Sequence, residues 1–191
     1  EGIRLIHTLF DLLAQFIEVY GKRSSDPLDV SDSAELEEDM LWQQIAQLFN
    51  DSDYRPEPLA MFSSDPHFNG QGGPKKFVID PSSAPKKPWP KEFLMQKFKD
   101  LQRMFCLSKS RWIRVAGLED SDPIDCCWEK KRGRGVWPDA YYLLRISLAE
   151  DAEGISGFSE LLSLIESTSR LESRCFSAAC TMASTGQAQM P

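Results

Sequence analysis

Histidine is scarce in this chain: His7 and His67 are the only two, and no C-x-x-C pair occurs among its five cysteines. Structural zinc sites need four converging Cys or His ligands at short spacings, so neither histidine has a partner set at ligand distance in sequence. Cys126 and Cys127 are adjacent, and Cys175 and Cys180 lie five apart, which on a helix points them to different faces. There is no G-x-S-x-G nucleophile elbow. The run Gly70-Gln71-Gly72-Gly73-Pro74-Lys75-Lys76 lacks the G-K-[ST] ending and the apolar strand of a phosphate loop, and Pro74 removes an N–H that a cradle would use. The acidic clusters Glu35–Asp39 and Glu119–Asp125 do not follow EF-hand spacing. No constellation supplies a base, a nucleophile or a metal, so the sequence points away from an enzyme, and no catalytic residue, cofactor, metal or small-molecule substrate is assigned. Internal repeats and low-complexity tracts are also missing.

What is present is an ordinary globular composition, 41% apolar and 27% charged over 191 residues. That length buries roughly 70% of the unfolded surface, enough for one domain without disulfides. The five cysteines are an odd number, several in apolar surroundings, which fits free thiols and an intracellular chain, in nucleus or cytoplasm. The first residue is Glu1 rather than Met, as in a fragment or a processed product.

The net charge of −7 is unevenly laid out. Residues 1–70 carry four basic and fourteen acidic side chains, net −10. Residues 71–134 carry fifteen and eight, net +7, and residues 135–191 carry three and seven, net −4. Blocks of opposite sign can pair within the chain or between chains.

Taken in order, residues 1–50 read as a helical pair. Gly2 to Tyr20 is apolar over most of its circumference, with Arg4, His7, Asp11, Gln15 and Glu18 as a polar stripe. The stripe argues against a membrane span. Such a helix is either the centre of a core or docks on another protein, and Leu9, Leu13 and Phe16 are its candidate partner-binding residues. Gly21 suits the position after a helix end. A second helix capped by Ser31 or Ser33 runs to Phe49, with Met40, Leu41, Ile45, Leu48 and Phe49 as its apolar face. Residues 51–87 form a Pro- and Gly-rich irregular segment, with one short strand expected at Lys76–Ile79.

Residues 88–182 are expected to pack with 1–50 as one domain. Pro90 to Leu107 is an amphipathic helix whose apolar face is Phe93, Leu94, Phe98, Leu101, Met104 and Phe105. Trp89 and Phe93 at its start are further partner-binding candidates. Arg111–Val115 and Ile124–Glu129 each alternate and are expected to pair as a hairpin. Residues 140–149 read as helix or strand, with helix preferred after Pro138-Asp139. A last helix follows Ser156, and 183–191 reads as a disordered tail. The fold class is mainly α with a small β-hairpin, α+β being the alternative.

The function that follows is a non-catalytic protein–protein interaction subunit or adaptor of an intracellular assembly, acting through a protein partner or self-association and not at a membrane. The alternative is a nucleic-acid-binding protein, in one form a self-assembling nucleoprotein-like protein, using the basic, Trp-containing segment 88–137, with RNA contacts from Lys97, Arg111, Trp112, Arg114, Lys130, Lys131, Arg132 and Arg134. There cations would neutralise phosphates and aromatic rings would stack on unpaired bases. The interspersed acids Glu119, Asp120, Asp122, Asp125 and Glu129 count against that alternative.

Overall fold

The computed structural model describes residues 1–25, 32–65, 67–68, 80–118, 121–129, 134–149 and 158–167. The fold is mainly helical. Helices α1 (Gly2–Asp11), α2 (Leu13–Ser25) and α3 (Asp32–Asn50) are followed by an irregular stretch with one 3-10 turn, Ala60–Ser64. Then come α4 (Lys91–Val115), the short α5 (Pro123–Cys126), α6 (Pro138–Leu148) and α7 (158–167).

The apolar N-terminal segment is the centre of the core. Every residue from Gly2 to Leu9 is buried, and α1 packs against α2, α3, α4 and α6. Burying one Leu or Ile side chain is worth about 1.5–3 kcal/mol, and α1 buries four of them, Ile3, Leu5, Ile6 and Leu9. Gly2 lies against the Asp139 carboxylate at the start of α6, which leaves no room for a side chain there.

The single helix expected over Gly2–Tyr20 is broken at Leu12, which takes φ −101 and ψ 18. One turn earlier Thr8 Oγ1 donates to the Arg4 carbonyl at 2.9 Å, a back-bond of the kind that bends helices. Gly21 does not end the helix; α2 continues through it to Ser25.

In α3 the buried residues are Leu41, Trp42, Ile45 and Phe49, while Met40, expected in the core, is 53% exposed. Asn50 closes the irregular stretch in the manner of a strand pair. Its Nδ2 donates to the Trp89 carbonyl at 2.9 Å, and its Oδ1 accepts from the Trp89 amide at 2.8 Å.

Helix α4 is longer than its apolar periodicity suggested. Leu94, Phe98, Leu101 and Phe105 are buried as expected, Met104 is half-buried, and Phe93 is 51% exposed. The helix runs on through Arg111–Val115, so the hairpin expected between 111–115 and 124–129 does not form. Arg-Trp-Ile-Arg-Val alternates well enough for a strand, but tertiary contacts decide: Arg111 Nη1 reaches the Cys126 carbonyl at 3.1 Å, and Trp112 packs on the core. The helix stops at Ala116, followed by Gly117 at φ +94, a left-handed terminator that glycine adopts without strain.

Ile124–Cys126 is helical, with Pro123 at the first turn and Asp122 Oδ1 accepting from the Ile124 amide at 3.0 Å. A two-residue antiparallel contact joins β1 (Trp128–Glu129) to β2 (Arg134–Val136), with Trp128 opposite Val136. Residues 138–148 are helical, as preferred from sequence. The strand expected at Lys76–Ile79, the Ser156 cap and the tail 183–191 lie outside the described residues. No helix among the described residues is long and apolar enough to cross a membrane.

Candidate functional site

Two of the polar residues expected on the solvated stripe of α1 are buried instead. Arg4 is fully enclosed, and its guanidinium donates to five backbone carbonyls. Nε bonds Phe49 at 2.8 Å, Nη2 bonds Asp51 at 2.7 Å, and Nη1 reaches Tyr54, Pro81 and Ser82 at 3.0–3.1 Å. Phe49 and Asp51 present the carbonyl end of α3, where the helix dipole is negative and a cation is favoured. The Tyr54 ring lies 4.8 Å from the guanidinium carbon. Burial lowers the Arg4 pKa, but a guanidinium stays charged. Arg4 therefore ties α1 to the end of α3 and to both ends of the irregular stretch.

His7 is 5% exposed, and its Nε2 lies 2.7 Å from the Tyr142 hydroxyl. Burial pushes the His7 pKa down to about 4, which keeps the imidazole neutral at pH 7. The ring sits edge-on to Phe158, itself stacked on Phe10 at 3.9 Å.

A second polar group surrounds Asp65. Its carboxylate accepts from Arg145 Nε at 3.1 Å, from the Tyr141 hydroxyl at 3.2 Å and from the His67 amide at 2.9 Å. His67 Nε2 lies 2.8 Å from Asp122 Oδ2, and its ring stands edge-on to Tyr141. Burial, followed by the Asp65 charge, pushes the Tyr141 hydroxyl well above the ordinary phenol range. The phenol stays protonated, and Asp65 is committed to three donors. The cluster fastens Asp65 to α6 and His67 to the start of α5. No local pattern in the sequence links Asp65, Asp122, Tyr141 and Arg145, because the contacts of this cluster span 55 to 80 residues.

The Cys126 and Cys127 thiols are buried and free, and Cys106 is half-buried. Burial raises both Cys126 and Cys127, the latter to about 11, so neither is a thiolate nucleophile at neutral pH. Cys127 Sγ lies 3.6 Å from the Pro123 carbonyl. Cys175 and Cys180 lie outside the described residues. Among the described residues no three His, Cys, Asp or Glu side chains gather as a metal-ligand set.

The basic block divides in two. Lys91 pairs with Asp39 in α3, Lys97 with Asp139 in α6 at 3.1 Å, and Lys109 with Glu166 in α7. These three α4 lysines thus meet acids from the negative blocks. Past Asp100 the helix carries no further acid, and Arg103, Leu107, Ser110, Ile113 and Arg114 line its exposed side.

Of the residues expected to bind a partner, Leu9 and Phe16 are fully buried in the chain's own core. Leu13 and Trp89 are half-buried against it, and Phe93 is exposed with its ring edge-on to Trp89. Of those expected to meet nucleic acid, Lys97 and Arg111 hold α6 and α5, Trp112 packs on the core, and Arg114 is exposed. Arg134 lies in β2, whereas Lys130, Lys131 and Arg132 fall outside the described residues. The large exposed apolar side chains are Leu36, Met40, Phe93, Leu107, Ile113, Leu118 and Leu148, of which only Phe93 was a candidate contact from sequence. Continuing α4 as far as Gly117 would have placed Leu107 and Ile113 on its outer side.

Comparison with protein-family models, with curated proteins and with solved structures finds no match for this chain.

Proposed function

We propose that this chain is a non-catalytic protein–protein interaction subunit or adaptor of an intracellular assembly. The observation that supports the reading is how the basic block is used. Three α4 lysines are engaged by acids of the same chain, and the outer face left to the helix mixes arginine with leucine and isoleucine. A phosphate backbone is met by dense, solvated cations, whereas a mixed apolar and cationic face suits a protein surface. The free, buried thiols are in keeping with a reducing compartment.

The test is fluorescence anisotropy of a random-sequence single-stranded RNA titrated with the protein at low and physiological salt. We expect no tight, salt-sensitive binding. Tight binding whose logarithm falls with log salt by about 0.7 per phosphate contact would overturn the reading. If such binding is abolished by K130E/K131E/R132E/R134E, nucleic acid is the partner and the basic segment carries it.

A further inference from the structure

We propose that copies of this chain associate head to tail, the N-terminal face of α3 on one copy docking against the C-terminal face of α4 on the next. The inference rests on the reading of the chain as an assembly subunit and names the partner as a second copy. The α3 face is a strip in which Leu36 and Met40, 62% and 53% exposed, are one turn apart, with exposed Glu35 and Glu37 beside them. The α4 face carries Leu107, Ile113 and, just past the helix end, Leu118, with Arg103 and Arg114 exposed among them. One face is apolar and acidic, the other apolar and basic, so they complement each other in charge and in kind.

Within one molecule the two faces are set apart along α4. Lys91, the first residue of α4, is paired with Asp39, and Trp42 packs on Phe98, so the α3 strip lies by the first half of α4. A helix of 25 residues is about 37 Å long; the basic face begins at Arg103, about 18 Å from Lys91, and runs past the far end of the helix to Leu118. Complementary patches at two different places on one body make a heterologous contact, which propagates as a chain or closes as a ring. Faces of one to three helical turns belong to the small interfaces, below about 1,200 Å², so the association is weak, concentration-dependent and reduced by salt.

The experiment is sedimentation equilibrium on the parent protein and on two variants, L36K/M40K and I113E/L118E, at low salt. All four side chains are exposed, so circular dichroism should match the parent. We expect the parent mass to rise with concentration beyond twice the 21.7 kDa chain mass. Each variant alone should stay monomeric, and an equimolar mixture should form a one-to-one dimer through the faces left intact, and nothing larger. If an apolar substitution perturbs the helix, the charge-only variant R103E/R114E gives the same readout against L36K/M40K. Variants that self-associate like the parent, or a mixture that stays monomeric, would overturn the head-to-tail contact. A parent that is monomeric throughout and binds no RNA overturns this contact alone and leaves the adaptor reading standing. RNA binding by that monomer overturns the adaptor reading itself.

Discussion

Replacing Arg4 by Met is expected to destabilise the protein by about 4 kcal/mol or more, the largest effect of any single substitution considered. The methionine keeps the apolar stem but removes the donors to five carbonyls, from Phe49, Asp51, Tyr54, Pro81 and Ser82. A buried acceptor left without a partner costs about 1–3 kcal/mol, and some of the five will recover water. Arg4→Lys should recover only a part, because an ammonium offers three protons from one point where a guanidinium offers five in a planar fork. Urea unfolding followed by far-UV circular dichroism measures both. A loss within about 1 kcal/mol for Arg4→Met would show that these carbonyls are satisfied without it.

The second large effect is a loss of stability in mild acid that traces to His7. Its pKa is about 4 in the fold and about 6.5 when unfolded, because burial disfavours the imidazolium. The unfolded chain therefore binds the proton more readily, and acid favours unfolding. The contribution is intact above about pH 6.5 and declines as pH falls towards 4. Roughly 2 kcal/mol should be gone by pH 5, and about 3 kcal/mol at pH 4, from a slope of about 1.4 kcal/mol per pH unit. The variant His7→Gln keeps a polar group facing Tyr142 and cannot titrate, so its profile between pH 7 and 5 should be flatter by that amount. His67 is present in both proteins and cancels in the comparison. Parallel profiles for parent and variant over this range would contradict the assignment.

Both residues show why the sequence revealed some of this molecule and hid the rest. The apolar periodicity of α1, α3 and α4 was legible, since burial of one face leaves a repeat near 3.6 residues, whereas α6, buried on nearly every side, showed only the Pro138-Asp139 start signal. The polar stripe was visible too, but its fate was not. Arg4 and His7 at helical spacing look like a solvated edge, and only the chain ends brought by α3, residues 80–82 and Tyr142 turn that edge inward. The α4 boundary was missed for a local reason. Arg111-Trp112-Ile113-Arg114-Val115 alternates like a strand, while the stop signal at Gly117 is a single residue. The expected interaction residues fared unevenly for a related cause. Leu9 and Phe16 were chosen for being apolar, which is also what a core requires, whereas Leu107 and Ile113 stand out only once the helix they share is drawn to its true end.

The most direct measurement is native mass spectrometry of the full chain at low salt, over a range of concentrations, with and without a short single-stranded RNA. The adaptor reading with self-association predicts species at whole multiples of 21.7 kDa, shifting upward with concentration and identical when RNA is present. A species carrying the added mass of the RNA, lost as salt is raised, would contradict it.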